Sequence, residues 1–434
     1  MASKVLHRQL AEVAFITSGK RPASVTKERS GKHQIPVIGG GGESGFTQQS
    51  LYSEDILITG RVGTLGKLFS PKGPCWPSDN ALVIRPKGDA VHFQYLKYAL
   101  GSVISSAAGM NRGAANPLIT QTDLGRLEIP VPEKSTQAQI AMVLGRLDEK
   151  IDVSRRISQT LEAIAQATFK SWFVDFDPVK AKIAAKQEGR DPLRASMSAI
   201  SGKQDAEFDA LSPEQYDQLA VITAMFPDEM EESELGEIPK GWSVKSIGDV
   251  ARFTSGKVKT SSLSEENYIS TENMLENRGG VVRASSLPSV ATVPSFAAGQ
   301  VLISNIRPYF KKIWMARFDG GRSPDVLAFA PAAPKWPEFL YSLMYQDSFF
   351  EFMTRTAKGA KMPRGDKDAI IGWKFPCPSE VLMTYFSEKV RPHHKLIESL
   401  TSENKSLAEL RDTLLPKLLS GELSVTEAMV DAEA

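Results

Sequence analysis

The sequence is poor in cysteine and histidine and has no long apolar run, and each shortage excludes a class of protein. Its two cysteines, Cys75 and Cys377, have neither a further cysteine nor a histidine at metal-ligand spacing, so no disulfide framework and no zinc site is predicted. Both thiols are expected to be buried and structural. The five histidines are also not spaced as metal ligands. There is no run of about eighteen apolar residues and no apolar run of signal-peptide length near the start, which predicts a cytoplasmic protein without a membrane partner.

Two glycine-rich stretches resemble nucleotide-binding motifs without completing them. In IPVIGGGGESGF, residues 35–46, the letters from Gly40 to Gly45 match G-x-G-x-x-G. No crossover helix and no acid at the end of a next strand are predicted after them. In GRVGTLGKL, residues 60–68, one residue too many precedes the Gly-Lys pair, and Leu68 stands where a P-loop needs Ser or Thr for magnesium. We therefore predict no bound nucleotide cofactor.

The net charge of +1 conceals a segregation of charge along the chain. Residues 1–134 hold 16 Lys and Arg against 10 Asp and Glu, and residues 241–378 hold 18 against 12, so each block carries +6. Residues 186–240 hold 5 against 13, which is −8. Two basic blocks separated by an acidic segment favour a polyanion that is contacted at two places.

Four short passages recur in the same order, displaced by 237 to 246 residues. They are LAEVAFITSGK (10–20) and IGDVARFTSGK (247–257), DILIT (55–59) and QVLIS (300–304), SDNALVI (78–84) and SPDVLAF (323–329), and LEIPVP (127–132) and WKFPCP (373–378). Four matches in one order predict a duplicated unit. Within each copy, short apolar runs divided by Gly, Pro, Ser and Asn predict β-rich structure with long loops, followed by short helices.

Each copy is followed by apolar residues near heptad spacing over about 40 residues, which predicts a long helix. The first stripe consists of Ile140, Leu144, Leu147, Ile151, Ile157, Leu161, Ile164, Phe169 and Trp172. The second consists of Phe386, Val390, His393, Ile397, Leu400, Asn404, Leu407, Leu414 and Leu418, and ends at Ser420 and Gly421. Because each stripe outlasts the diameter of a small domain, pairing of the two helices is favoured. Packing of each helix on its own domain alone is the alternative.

The predicted fold class is α+β: two β-rich α+β domains joined by two long antiparallel coiled-coil helices, with a pseudo-two-fold internal repeat. The predicted boundaries are 1–134 for the first domain, 135–185 for the central long helix, 186–240 for an acidic linker, 241–378 for the second domain, 379–421 for the C-terminal long helix and 422–434 for a flexible tail.

The sequence resembles the specificity (S) subunits of type I restriction-modification systems over nearly its whole length. The passages that carry the resemblance are SDNALVIRP, IPVPEKSTQAQIAMVLGRLDEKID, LGEIPKGW and LRDTLLPKLLSGEL, in this order and together with the repeat. After PCP, the stretch SEVLMTYFSEK lacks the Gln-rich helix start of STQAQI, so the resemblance does not imply that both helix ends dock partners equally.

This resemblance implies a prokaryotic, cytoplasmic protein that recognises a bipartite, asymmetric sequence in double-stranded DNA, with one half per target recognition domain. It implies two methyltransferase (M) subunits that use S-adenosylmethionine and two restriction (R) subunits that use ATP and Mg. It implies a subunit that binds none of these cofactors and catalyses nothing. The sequence itself has no Asn/Asp-Pro-Pro-aromatic methylase motif, no Walker A motif and no clustered histidines or paired carboxylates.

Phosphate contacts are expected from Lys, Arg and loop amides, and base contacts from Arg on guanine and from Asn or Gln on adenine. In the first domain we predict contacts from Lys20, Arg21, Lys32, His33, Arg61, Lys67, Asn111 and Arg112. In the second domain we predict contacts from Lys257, Lys259, Asn273, Arg307, Tyr309, Lys311, Lys361 and Arg364. Arg61 and Arg307 occupy comparable places after the matched strand and form the most promising pair.

The glycine run beside the basic stretch KRPASVTKERSGKH is predicted to be a DNA-facing loop, in which Gly41 and Gly42 let the backbone approach phosphate. A plain hairpin connection is the alternative. Two other hypotheses for the whole chain stay open: the specificity subunit of a modification-only methyltransferase, and a coiled-coil scaffold with two heads that bind something other than DNA.

Overall fold

A computed structural model gives the fold and describes residues 6–62, 66–109 and 118–428. The chain forms two compact units. Unit 1 contains Met1–Arg155 and Thr401–Ala434, and unit 2 contains Arg156–Leu400. Two long helices run across these boundaries, so each unit includes one part of each helix.

Unit 1 combines short strands with helices that precede the first long helix. Its strands are β1 (Leu6–Gln9), β2 (Ala14–Ser18), β3 (Ile35–Gly39), β4 (Gly42–Thr47), β5 (Leu57–Gly60), β6 (Leu68–Phe69), β7 (Trp76–Pro77), β8 (Ala81–Pro86) and β9 (Glu128–Val131). Its helices are α1 (Leu10–Val13), α2 (Phe93–Gly109), α3 (Gln121–Gly125), the first part of α4 (Lys134–Phe173) and the last part of α12 (Glu380–Ser420).

An antiparallel sheet in the order β2-β8-β5-β6 forms the centre of unit 1. Strand β5 and the first four residues of β8 are buried, as their uninterrupted apolar runs predict. One face of this sheet packs in a cluster with α2 and α4, and the other face packs in a smaller cluster with Ile38 and Cys75. Strands β4-β3-β7 form a second sheet, and β1 pairs with β9.

Unit 2 contains the remaining elements. Its helices are the rest of α4, α5 (Asp177–Gln187), α6 (Pro192–Ser201), α7 (Pro213–Ala224), α8 (Ile247–Val250), α9 (Pro337–Tyr345), α10 (Asp347–Thr356), α11 (Lys367–Ile371) and the first part of α12 (Glu380–Ser420). Its strands are β10 (Met230–Ser233), β11 (Gly236–Pro239), β12 (Ser243–Ser246), β13 (Ala251–Phe253), β14 (Lys257–Lys259), β15 (Tyr268–Ile269), β16 (Thr292–Phe296), β17 (Val301–Ser304), β18 (Ile313–Met315), β19 (Gly320–Arg322), β20 (Val326–Pro331) and β21 (Lys374–Cys377). Short 3-10 helices occupy Asp205–Ala210, Thr260–Ser262 and Pro308–Phe310.

The main sheet of unit 2 has the strand order β13-β20-β17-β18, which corresponds strand for strand to β2-β8-β5-β6 of unit 1. Strand β12 pairs with β21 as β1 pairs with β9. The first residue of the next helix is held in the same way in both units: Leu10 N donates to Leu127 O at 2.8 Å, and Ile247 N donates to Trp373 O at 3.0 Å. The second sheets differ, since unit 2 has β14-β16-β19-β15.

The two long helices pair within each unit. In unit 1, Leu144 of α4 shares a buried cluster with Leu414 of α12, and Lys150 Nζ lies 2.7 Å from Glu403 Oε1. In unit 2, the rings of Phe169 and Phe386 meet edge to face with centroids 5.4 Å apart. As the residue number increases along α4, the residue that it contacts on α12 has a lower number, so the two helices run antiparallel. Each also packs on the sheet-bearing part of its unit, so the alternative that each packs only on its own domain is wrong.

The first apolar stripe is only partly buried. Ile140, Leu144, Leu147, Ile151, Phe169 and Trp172 are buried, as predicted. Ile157 and Ile164 are 41% and 46% exposed. Ile164 lines a shallow groove on α4 together with Thr160 and Ala167.

Helix α4 ends at Phe173, twelve residues before the predicted boundary at 185. The amides of Val174 and Asp175 both donate to Lys170 O, at 3.0 and 2.8 Å, and Phe176 takes the left-handed conformation with φ 58°. This turn buries Phe176 against Trp242, with ring centroids 5.7 Å apart. The predicted helix therefore consists of two helices, α4 and α5, and α12 ends at Ser420 before Gly421 at φ 76°, as predicted.

The acidic segment 186–240 is folded and belongs to unit 2 rather than forming a simple linker. Asp191 caps α6, and Ser212 caps α7. Lys182 is buried, and its ammonium donates to the carbonyls of Thr223 and Phe226 near the end of α7, at 2.7 and 2.5 Å. The acids lie on the surface of this helical module, while Ile222 and Phe226 enter the main core of unit 2.

The predicted flexible tail is wrong for its described part. Residues 425–428 are helical, and Ala428 is completely buried in the core of unit 1. Residues 429–434 lie outside the described residues. None of the helices described here is long and apolar enough to cross a lipid bilayer.

Candidate nucleic-acid interface

Three segments of unit 2 form one surface, which we call the platform: the turn 275–280, the loop 305–312 and the loop 357–366. In the part of the chain that the structure describes, five non-glycine residues have positive φ, and four lie here. They are Asn277 (53°), Arg278 (62°), Arg307 (51°) and Lys311 (50°). Each such residue costs roughly 1–3 kcal/mol, and strained residues of this kind cluster at functional sites. The backbone therefore marks the platform independently of its charge.

Backbone hydrogen bonds connect the turn 275–280 to the loop 305–312. The amides of Asn277 and Arg278 donate to the carbonyls of Phe310 and Lys311, at 2.8 and 2.9 Å. Because the donors and one acceptor are left-handed residues, these bonds stabilise the strained conformations.

The loop 357–366 joins the same platform from the other side. Arg307 N donates to Pro363 O at 2.8 Å, and Ile306 forms an antiparallel bridge with Arg364. Within the loop, Lys358 and Arg364 exchange backbone hydrogen bonds of 2.8 and 2.9 Å. The platform is thus held by backbone contacts, and the side chains of Tyr309, Lys361 and Arg364 are exposed on it.

Three cations of the platform have no carboxylate partner among the described residues: Arg307, Lys361 and Lys312, whose ammonium donates to the carbonyl of Thr271. Arg307 lies with its guanidinium carbon 6.0 Å from the ring centroid of Phe310. Tyr309 beside it is 47% exposed. Arg364 is paired with Asp325 at 3.2 Å, but more than half of its side chain is exposed. These groups suit contacts to phosphates and to the edges or faces of bases.

Lys311 differs from those three cations, because its ammonium forms an ion pair with Asp347. Its Nζ lies 2.6 Å from Asp347 Oδ1, and Arg278 Nη2 lies 2.6 Å from the same oxygen. Hydrogen bonds from Lys311 and Arg278 lower the pKa of Asp347 to about 2, so the carboxylate stays charged at neutral pH. The Arg278 guanidinium also stacks over the rings of Tyr345 and Phe350, with distances of 4.6 and 5.5 Å.

Unit 1 has loops in the corresponding places. After β5, Arg61 N donates to Asn80 O at 3.0 Å and Arg61 O accepts from Ile119 N at 2.9 Å. Val62 then forms a bridge with Leu118, as Ile306 does with Arg364 in unit 2. Residues 61–62 and 118–119 of unit 1 therefore correspond to residues 305–306 and 364–365 of unit 2.

The predicted pairing of Arg61 with Arg307 is wrong by two residues. In unit 2, Asn305 N donates to Asp325 O at 2.8 Å and Asn305 O accepts from Gly365 N at 3.0 Å. These are the two bonds that Arg61 makes, so Asn305 is its counterpart. Asn305 is 7% exposed, and its Oδ1 has no hydrogen-bond partner in the described structure. The two units therefore present different side chains from the same backbone position.

The glycine run of unit 1 is a hairpin connection. Gly39 pairs with Gly42 at the end of β3 and β4, so Gly40 and Gly41 form the turn. A Cβ on Gly40 would come within 2.9 Å of Gly60 Cα, and Gly42 has φ 110°, so both positions require glycine. The glycine run is thus a hairpin, its contact with DNA stays a prediction, and a strand stands where a dinucleotide fold has a helix.

The remaining predicted residues of unit 1 are mostly exposed. Lys20, Arg21, Lys32 and Lys67 have exposed side chains. His33 Nε2 lies 3.0 Å from Ser24 Oγ and 3.4 Å from Gln48 Nε2. Asn111 and Arg112 lie outside the described residues.

In unit 2, Lys257 and Lys259 are exposed on β14, whereas the prediction for Asn273 is wrong. Asn273 is 4% exposed, and its Nδ2 donates to the carbonyls of Tyr268 and Val282, each at 2.9 Å. Its Oδ1 accepts from Ser270 N at 2.6 Å. The amide is fully used in fixing a turn and is not free to contact a base.

Comparison with known proteins gives the family. A family model described as the type I restriction modification DNA specificity domain matches residues 3–163. The chain is 31% identical over 343 residues to the specificity subunit of the type I restriction enzyme HindI from Haemophilus influenzae, and the match covers 72% of each protein. The chain belongs to the family of type I restriction enzyme specificity subunits.

A more distant specificity subunit, that of the type I restriction enzyme MjaIX from Methanocaldococcus jannaschii, is 24% identical, with 86% of this chain and 78% of that protein covered. The crystal structure of a type I restriction-modification S subunit from M. genitalium covers 96% of both chains with a TM-score of 0.54 at 16% identity. This likeness shows the fold, and the resemblance seen in the sequence is confirmed.

Sequence reasoning missed three residues of this specificity subunit that organise the platform: Arg278, Lys312 and Asp347. Lys312 donates to Thr271 O at 2.8 Å. The stretch Asn-Arg-Gly-Gly at 277–280 is a turn signal next to a basic residue and could have identified Arg278. Nothing in the sequence connects Asp347 to a loop 36 residues earlier.

Proposed function

We propose that the chain is the DNA-recognition subunit of a type I restriction-modification complex and recognises a bipartite, asymmetric target, one half with each unit. The observation that carries this proposal is the platform, where strained backbone carries Arg307 and the side chains of Tyr309 and Lys361 are exposed. Loops in the same topological place in unit 1 start at Arg61. Backbone strain in a basic surface loop has a functional explanation if the loop must hold its side chains in one fixed geometry against a polyanion.

In this function, the platform separates two tasks. Arg307 has the planar donors that suit the O6 and N7 acceptors of guanine in the major groove. Lys361 and the exposed lysines of both units neutralise phosphates, which holds the duplex without sequence preference. The charge of +6 on residues 1–134 and on residues 241–378 supports this, and the acids of 186–240 keep the remaining surface unattractive to DNA.

The proposed domains are the two target recognition domains, 1–134 and 241–378, which arose by duplication and are related by a pseudo-two-fold repeat. The identical strand orders β2-β8-β5-β6 and β13-β20-β17-β18 support the duplication. The paired outer strands, β1 with β9 and β12 with β21, support it as well.

We assign assembly to the long helices. The groove on α4 that Ile164 lines, together with the exposed Ile157 on the same helix, suits a helix of a methyltransferase subunit, since apolar side chains at helical spacing form such contacts. In the proposed complex, two such subunits hold S-adenosylmethionine, and two restriction subunits hold ATP and Mg. The specificity subunit binds none of these cofactors and is not itself an enzyme.

The proposal is tested by methylation-sensitive sequencing of a host genome that expresses this chain with its methyltransferase partner. The expected result is one methylated motif with two defined halves and a fixed spacer, absent when either gene is deleted. Methylation that does not depend on this chain, or that follows a single continuous motif, would contradict the proposal. Binding of the chain to duplex DNA should also fall steeply with salt, because phosphate neutralisation releases counterions.

A further inference from the structure

We propose that Asp347 is a positioning residue for base recognition by unit 2: it fixes the loop that carries Arg307 and withholds Lys311 from phosphate. This inference rests on the function proposed above. Asp347 is the first residue of α10, 40 residues from Arg307 along the chain, and its carboxylate pairs with Arg278 and Lys311 of the platform. It therefore acts through other residues and is not proposed to touch DNA.

The first argument comes from the two cations that share one oxygen. Arg278 and Lys311 each lie 2.6 Å from Asp347 Oδ1, and both have left-handed backbone. Arg278 N donates to Lys311 O at 2.9 Å, so the two residues are joined by backbone as well as through the acid. Without a shared anion the two positive side chains would repel each other. The carboxylate thus holds both strained residues in place.

A second argument is that Asp347 connects the platform to rigid structure. Arg278 Nε donates to Tyr345 O at 2.9 Å, and its side chain is only 15% exposed. Phe350, which the guanidinium covers, is 1% exposed in the core of unit 2. The N-terminus of α10 also favours a negative charge at this place. The loop 305–312 is therefore fixed to the corner between α9 and α10.

The third argument concerns specificity. A free lysine near DNA adds affinity for every sequence, because it neutralises phosphate. Paired with Asp347, Lys311 adds little of this unspecific affinity, while Arg307 on the same loop keeps its guanidinium free. Asp347 should therefore increase the ratio between binding to the target and binding to other DNA.

The test uses the complex of this chain with its methyltransferase subunits. Three DNA duplexes are compared: one with the target motif that methylation-sensitive sequencing identifies, one with the first half of that motif scrambled and one with the second half scrambled. Fluorescence anisotropy gives Kd for each, over a series of salt concentrations. Asp347→Asn removes the charge at nearly constant shape. Glu351→Gln is the matched control, since it makes the same change of charge at an exposed position one turn further along α10.

Asp347→Asn is expected to lower selectivity for one half of the motif by roughly tenfold or more, as for the loss of a well-placed base contact. Selectivity for the other half should stay within about twofold. If Lys311 gains a phosphate contact, the slope of log K against the logarithm of the salt concentration should become steeper by up to about 0.9. Glu351→Gln should leave both selectivities unchanged. Asp347→Glu should restore part of the loss, because the acceptor is kept.

Unchanged selectivity in Asp347→Asn would overturn the inference. An equal loss of selectivity in Glu351→Gln would also overturn it, because the loss would then follow from the removal of any negative charge on α10. Should the Asn variant not fold, Lys311→Met breaks the same ion pair from the other side. It must then lower selectivity for one half, and unchanged selectivity would again overturn the inference. A wild-type complex that does not discriminate among the three duplexes would instead refute the proposed function.

Discussion

Asp148 on α4 offers a sharp test of how α2 is fixed to the long helices in unit 1. Its carboxylate accepts hydrogen bonds from Lys97 Nζ at 2.8 Å, Tyr98 Oη at 2.8 Å and Arg411 Nη1 at 2.9 Å. These donors come from α2 and α12, so one acid joins three helices of unit 1. We predict that Asp148→Ala loosens this junction.

The size of the loss follows from the three bonds. A hydrogen bond to a charged group contributes roughly 1.5–3 kcal/mol, and breaking a buried ion pair costs about 3–5 kcal/mol. Lys97 and Arg411 are 33% and 29% exposed and would regain water, whereas the Tyr98 hydroxyl, on a residue only 6% exposed, would lose its partner. We therefore expect a loss of about 2–4 kcal/mol in the free energy of opening of unit 1.

Hydrogen–deuterium exchange measures this loss where it occurs, in peptides from α2 and from the first half of α4. The matched control is Asp152→Ala, one turn further along α4, which removes an exposed pair with Lys72 at 2.7 Å. An exposed pair contributes less than about 1 kcal/mol, so exchange in the control should change little. Equal effects of the two substitutions, or less than about 1 kcal/mol for Asp148→Ala, would refute the reasoning.

The same acid predicts a dependence on pH. Burial acts to raise the pKa of Asp148, but hydrogen bonds from Lys97, Arg411 and Tyr98 outweigh it and hold the pKa below its ordinary value of 3.8. The unfolded state therefore binds the proton more readily than the folded state. The stabilisation by Asp148 is complete above about pH 4–5 and is lost as the pH falls through the lower folded pKa. The difference between wild type and Asp148→Asn should accordingly shrink only in acid.

Three further predictions follow from the same structure. Arg61→Ala and Arg307→Ala should each weaken binding to the target by roughly 1–3 kcal/mol without lowering the melting temperature, and unchanged Kd values for both would exclude these loops from the interface. Exchange of residues 1–134 for those of a related subunit should alter one half of the methylated motif, and altered bases in both halves would contradict independent recognition. Burial raises the pKa values of Cys75 and Cys377 to about 11, so neither thiol should react with a disulfide reagent at pH 8 until the chain is unfolded, and rapid reaction of the folded protein would contradict their burial.

The fold class could be predicted because apolar patterns record which faces are buried. The runs of β5 and β8 and most of the helix stripes lie in cores, as their spacing requires. The pattern could not show which protein buries each face. Ile157 and Ile164 fit the heptad spacing as well as their neighbours do, yet this chain leaves them exposed. A stripe on one helix is thus compatible with a partner in another chain.

The register of the strands could not be predicted by aligning the repeated sequence passages. DILIT and QVLIS align Leu57 with Leu302, but Leu57 pairs with Ile84 and faces the helices, whereas Leu302 pairs with Ala328 and faces the opposite side of its sheet. The structural counterpart of Leu57 is Val301, one residue earlier. Because side chains alternate along a strand, a shift of one residue exchanges the two faces. This shift accounts for one of the two residues by which the pairing of Arg61 with Arg307 is wrong.

Residue type alone also cannot separate side chains that build a surface from those that act on it. Asn273 and Lys311 have side chains of the types that bind DNA. The Asn273 amide, however, is hydrogen-bonded to backbone groups, and the Lys311 ammonium is paired with Asp347. Arg307 was chosen from the sequence by the same criterion and differs only in that its guanidinium has no carboxylate partner in the described structure. Lys311 is carried by strained backbone as well, so the two cations differ in the pairing of Lys311 with Asp347. A loop that must recognise bases needs its backbone fixed before it needs more charge, so the residues that fix it, Asp347 above all, should determine specificity as strongly as those that touch DNA.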